Sequence, residues 1–86
     1  MSMQGQVVLV TGASRGIGRA IAENFLALGA TVLGTATSEN GAAAISEYLG
    51  ESGKGFVLNV TENESIEALF EAIKKDFGSV DVLVNN

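Results

Sequence analysis

Four short apolar runs, "QVVLVT" at 6–11, "TVLGT" at 31–35, "GFVLNV" at 55–60 and "VDVLVNN" at 80–86, alternate with longer stretches of helical period, and this leaves few folds open. Runs that are apolar on consecutive residues suit strands buried on both faces of a parallel sheet. Parallel neighbours need a crossover, and the helical stretches supply one. The chain therefore reads β-α-β-α-β-α-β, an α/β doubly wound parallel sheet with the expected strand order 3-2-1-4. Right-handed crossovers would put the first two helices on one face and the third on the other, with a ligand site beyond the C-terminal ends of the strands.

Local signals place the helices. The first starts near Ile17, carries Ile17, Ile21, Phe25 and Leu28 along one face, and stops at Gly29. Ser38 can cap a second helix with Ala42, Ile45 and Leu49 on its apolar side, ending at Gly50 or Gly53. Thr61 and Glu64 form a T-x-x-E capping box, followed by Ile66, Leu69, Phe70, Ile73 and Phe77 at helical spacing up to Gly78. At 86 residues the whole chain, 1–86, is at most one small domain.

Composition removes several function classes. The net charge of -5 argues against binding nucleic acid or an anionic membrane surface. With no Cys and no His the chain has no thiol nucleophile, imidazole base or thiolate metal site, and no metal is expected. "MSMQGQ" lacks the basic start of a signal peptide, and no window approaches ~20 apolar residues, so the expected location is the cytoplasm.

The stretch "TGASRGIG", 11–18, puts three glycines where the first strand gives way to the first helix. Glycines there let bare backbone N–H groups approach a phosphate, and the helix N-terminus adds unpaired N–H groups and partial positive charge. Gly12, Ala13, Ser14, Arg15, Gly16, Ile17 and Gly18 are thus candidate cofactor-binding residues, with Ser14 able to donate a hydroxyl hydrogen bond. The alternative is an ordinary glycine turn. The spacing G-x-x-x-G-x-G lacks the Lys-Ser/Thr pair of a P-loop, which disfavours triphosphate hydrolysis. A carboxylate ~20 residues beyond the glycines commonly holds the ribose of NAD. Ala36 and Thr37 occupy that place, so Arg15 can pair with a 2′-phosphate while Thr37 donates a hydroxyl, and NADP (NADPH) is the expected cofactor. Glu39 nearby is the feature against this, and Arg15 as a solvated surface charge is the alternative. Gly34 would let adenosine approach the second strand, or would mark a bulge.

"TGASRGIG" resembles the T-G-x-x-x-G-x-G cofactor motif of the short-chain dehydrogenase/reductase family, and "VLVNN" resembles the start of its N-N-A-G motif. The likeness runs in register from Val7 to Asn86. It implies a Rossmann-like fold, a cofactor contact at Asn86, and contacts at Asn59 and Val60, where many members carry Asp-Val. An Asn amide can both donate and accept at an adenine edge, and a turn Asn is the alternative. "GTATSENG", "KGFVLNV" and "FGSVDVLVNN" look most like bacterial members that reduce a 3-keto acyl chain carried on acyl carrier protein with NADPH. The resemblance accordingly implies fatty-acid biosynthesis, an acyl-carrier-protein-bound substrate and a parent protein that is a homo-oligomer.

Such reductases supply a proton to the forming alkoxide from a Ser and a Tyr-x-x-x-Lys pair later in the chain. Tyr48 is followed four residues on by Ser52, so that pair is not in these residues, and no catalytic residue is assigned. The expectation is the cofactor-binding part of a longer reductase, inactive alone. A free-standing non-catalytic dinucleotide-binding or interaction module, or another member of the family, is the alternative.

Overall fold

Four parallel strands in the order β3-β2-β1-β4 form one sheet among the described residues of the computed structural model, which are 2–58 and 63–85. The elements run β1 (Val7–Val10), α1 (Gly16–Ala27), β2 (Thr31–Ala36), α2 (Glu39–Leu49), a short 3-10 turn (Gly50–Ser52), β3 (Gly53–Val57), α3 (Asn63–Phe77) and β4 (Val82–Val84). The doubly wound sheet and the 3-2-1-4 order agree with the sequence reading.

Because successive strand residues point to opposite faces, the apolar runs feed two cores. Val8, Val10 and Val32 pack with Ala22 of α1 and with Ile45 and Leu49 of α2. Leu9 and Leu33 pack on the other face with Leu69 and Ile73 of α3. The first two helices therefore share one face and the third covers the other, as the crossover argument requires. Ser38 caps α2 by accepting a hydrogen bond from the Gly41 N–H at 3.1 Å. At the opposite end of the sheet Asp81 ties β4 to β1: its N–H donates to the Val7 carbonyl, and its Oδ2 accepts from the Val7 N–H, both at 2.8 Å.

Three details differ from the sequence reading. β3 begins at Gly53 instead of Gly55, because its two glycines are packing residues. A Cβ on Gly55 would run into the Ala42 carbonyl of α2, and one on Gly53 into the Val32 carbonyl of β2. Ile17 does not join the apolar face of α1 and is 73% exposed, since the helix first meets the sheet at Gly18 and Ala22. Phe70 is half exposed, on the side of α3 that borders the cleft described below. The expected end of the third strand, at Asn59 and Val60, and the expected cap Thr61 lie outside the described residues. Among the described residues no helix is long and apolar enough to cross a membrane.

The contact between β3 and α2 predicts a steep cost for any side chain at Gly55. Gly55→Ala is expected to lower unfolding free energy by about 1–3 kcal/mol through overpacking, whereas Ser52→Ala, at an exposed position, should stay within about 0.5 kcal/mol. Urea denaturation of the two variants measures both, and a Gly55→Ala midpoint equal to the parent's would contradict the packing described.

Candidate functional site

β1 lies between β2 and β4, so the chain leaves β1 toward one neighbour and returns on its other side. At this reversal of strand order the connections diverge and leave a crevice beyond the strand ends. A cleft of about 790 Å³ occupies that position, a size common for small-molecule sites. Its rim combines the β1–α1 loop (Thr11, Gly12, Ser14, Arg15) with the end of β2 (Thr35, Ala36, Thr37). Leu58, Ile66, Leu69 and Phe70 form an apolar wall, and Leu83 and Asn85 of the β4 end complete it.

The β1–α1 loop is held by a set of backbone contacts centred on Ala13, which is completely buried. Its N–H donates to the Thr35 carbonyl of β2 at 2.9 Å. Its carbonyl accepts from the Tyr48 hydroxyl of α2 at 2.6 Å. Its methyl group fills the space beside Gly34, where an added Cβ would come within 2.8 Å of both the Ala13 Cβ and Ile45 Cγ2. The neighbouring Gly12 N–H donates to the Thr35 hydroxyl at 3.2 Å. Gly12 and Gly16 turn the loop at φ of 62° and 64°, values that a residue with a Cβ adopts at a cost.

Arg15, at the start of α1, is extended (φ -163°, ψ 171°) and makes no side-chain cap; the first turn of α1 holds no acidic residue. α2, by contrast, has both the Ser38 cap and Glu39 in its first turn. The first-turn N–H groups of any helix lack intrahelical acceptors, so the N-terminus of α1 faces the loop with its partial positive charge uncompensated by a local carboxylate. Arg15 is exposed and is the one charged side chain among the described cleft-lining residues.

The sequence candidates separate into four groups. Gly12, Ser14, Arg15 and Thr37 line the cleft together. Ala13 and Gly18 are buried, Ala13 beneath the loop and Gly18 in the first turn of α1, so the Ala13 methyl group and the Gly18 backbone lie behind the cleft and do not line it. Gly16 and Ile17 are exposed at the start of the helix. Asn59, Val60 and Asn86 lie outside the described residues. Gly34 departs from its expected role: the room it leaves is taken by Ala13 and Ile45, not by the cleft. Glu39 opens α2 and is not among the cleft-lining residues.

Thr35, Tyr48, Thr11 and Asn85 were not singled out as site residues from sequence. Thr35, the buried polar residue of β2, carried a signal, since a hydroxyl in an apolar strand needs a partner. Tyr48 reads only as a helix residue until α2 is seen beside the loop. Its ring lies under the Arg19 guanidinium, 4.6 Å from centroid, and Arg19 also approaches Glu23 at 3.5 Å. Burial pushes the Tyr48 phenol above its ordinary value of 10.0; Arg19 pulls it down and Glu23 adds to the rise.

Similarity to known proteins agrees with this geometry. The family described as short chain dehydrogenase matches residues 6–86. The 3-oxoacyl-[acyl-carrier-protein] reductase FabG of Haemophilus influenzae is 68% identical over 84 residues, which is 98% of this chain and 35% of the relative. Those of Vibrio harveyi and Escherichia coli are 66% and 65% identical over all of this chain and 35% of theirs. The chain thus spans about a third of the length of the curated relatives it matches.

A pH dependence follows from the half-buried phenol. Tyr48 donates to Ala13 only while protonated, and its folded pKa lies above the unfolded 10.0. The contribution to stability is therefore complete below about pH 10 and is lost as pH rises through the folded value. Ultraviolet difference absorbance between the protein and its Tyr48→Phe variant should titrate with a midpoint above 10.0; a midpoint at or below that value would mean that the phenol is not buried against the loop.

Proposed function

Since the chain belongs to the short-chain dehydrogenase family, we propose that it forms the dinucleotide-binding part of an NADPH-dependent 3-oxoacyl-[acyl-carrier-protein] reductase. In this reading residues 1–86 are a partial Rossmann domain, and the remaining substrate-binding and catalytic groups belong to other parts of the protein. The observation that carries the cofactor assignment is the cleft at the reversal of strand order, whose described lining has Arg15 as its one charge.

The residues present fit such a cofactor by their chemistry. The N–H groups of Gly16, Ile17 and Gly18 and the Ser14 hydroxyl are donors suited to the pyrophosphate. Arg15 and Thr37 suit a 2′-phosphate, and no carboxylate is among the described lining residues to repel it. The wall of Leu58, Ile66, Leu69 and Phe70 suits a planar base. Asn59, Val60 and Asn86 are proposed contacts on the likeness of "LNV" and "VNN" to the family pattern. When bound, the reduced nicotinamide supplies hydride to the 3-keto group of a carrier-bound acyl thioester.

The tyrosine of this chain is not the proton donor to that substrate. Tyr48 is absent from the cleft-lining residues, and its hydroxyl hydrogen is engaged by the Ala13 carbonyl. The proposal therefore holds that these 86 residues bind the cofactor and do not reduce a ketone alone. The cytoplasm, where NADPH and carrier-bound acyl chains are available, is the proposed location, and a homo-oligomer the proposed state of the parent.

In the full-length protein, Arg15→Ala should weaken NADPH at least about tenfold through loss of a charge-assisted contact and leave NADH nearly unchanged. Steady-state KM values for the two coenzymes measure this. Equal loss for both, or no loss, would remove the 2′-phosphate role from Arg15.

A further inference from the structure

We propose that Tyr48 is a positioning residue for the dinucleotide site, fixing the β1–α1 loop by donating its hydroxyl hydrogen to the Ala13 carbonyl. The inference rests on the dinucleotide reading above. Ala13 is held on its other sides: β2 takes its N–H, and its fully buried methyl group sits in the room beside Gly34. The carbonyl points away from the β2 hydrogen bond, toward α2, and the phenol closes that side at 2.6 Å. Ser14 and Arg15, which line the cleft, follow directly on this peptide. Rotation of the Ala13–Ser14 peptide would carry the Ser14 N–H and the start of α1 with it, so the bond sets where the loop's donors point.

The ring has a partner of its own. Arg19, one turn into α1, covers the Tyr48 face, so α1 and α2 meet through one aromatic ring whose hydroxyl reaches the loop that precedes α1. α2 lies outside the cleft, so the residue acts through the loop and not by contact with the ligand.

Tyr48→Phe in the full-length protein retains the ring beneath Arg19 and removes only the donor. Ligand-free hydrogen exchange should accelerate about fivefold or more in the segment 12–18 and stay unchanged in β1 and β2, while the Kd for NADPH by fluorescence titration rises by a similar factor. KM for NADPH should rise with it and kcat should hold, a split that simple loss of folded protein would not produce. Loop exchange and Kd both within about twofold of the parent overturn the proposal, and so does a variant that fails to fold or accelerates exchange everywhere, which would make Tyr48 a general stability residue. A parent protein that binds neither NADPH nor NADH removes the dinucleotide reading and this proposal with it, and the exchange arm then still reports whether the loop is held.

Discussion

The seating of Ala13 against β2 is the contact on which the site depends. A strand-to-helix turn must bring its peptide groups to the sheet edge without burying them unpaired, since an orphaned buried N–H or C=O costs about 1–3 kcal/mol. Here the turn drops one small side chain into the gap that Gly34 leaves, and each backbone group of Ala13 then finds a partner, the Thr35 carbonyl on one side and the Tyr48 hydroxyl on the other. With Ala13 fixed, Ser14 and Arg15 stand at the cleft and α1 begins at Gly16. A larger residue at 13 or any side chain at 34 would push the loop off the strand.

Most of the fold was legible in the sequence because its signals are local. Continuous apolar runs, the Ser38 cap and the stop glycines each fix one element, and handedness of the crossovers fixes which face each helix takes. Boundaries failed where a tertiary contact changed the meaning of a residue. Gly53 and Gly55 look like turn punctuation, yet they belong to β3 because α2 and β2 approach too closely for a Cβ. Ile17 looks like core by spacing, yet the register of α1 on the sheet buries Gly18 and Ala22 instead.

The site was legible for the residues whose role is set by the turn itself. Gly12, Ser14, Arg15 and Thr37 do face one cleft, as strand ends next to a reversal of strand order must. Gly34 was assigned to the ligand side, yet the room it leaves is taken by the methyl group of Ala13 and by Ile45, a distinction that needs the depth of the loop and not its composition. Tyr48 is 35 residues from Ala13 in sequence, and nothing local in "SEYLG" points to it. Contacts made by one hydroxyl across two elements carry no periodic signature.

The charge pattern explains how an acidic chain can still favour an anion at one place. The net charge of -5 opposes a dinucleotide at long range, but screening limits that opposition to roughly 8 Å at physiological salt. Inside that distance the balance is local: Arg15 is the charge among the described lining residues, and the amides of α1 add partial positive charge with no acid in its first turn. A side-chain cap and an acid there would have stabilised the helix by roughly 1 kcal/mol or more, as Ser38 and Glu39 do for α2. α1 has neither, and buries Gly18 and Ala22. The helix without local stabilisation is the one that follows the cleft-lining residues Ser14 and Arg15, and the helix that has it is the one from which Tyr48 holds the loop in place.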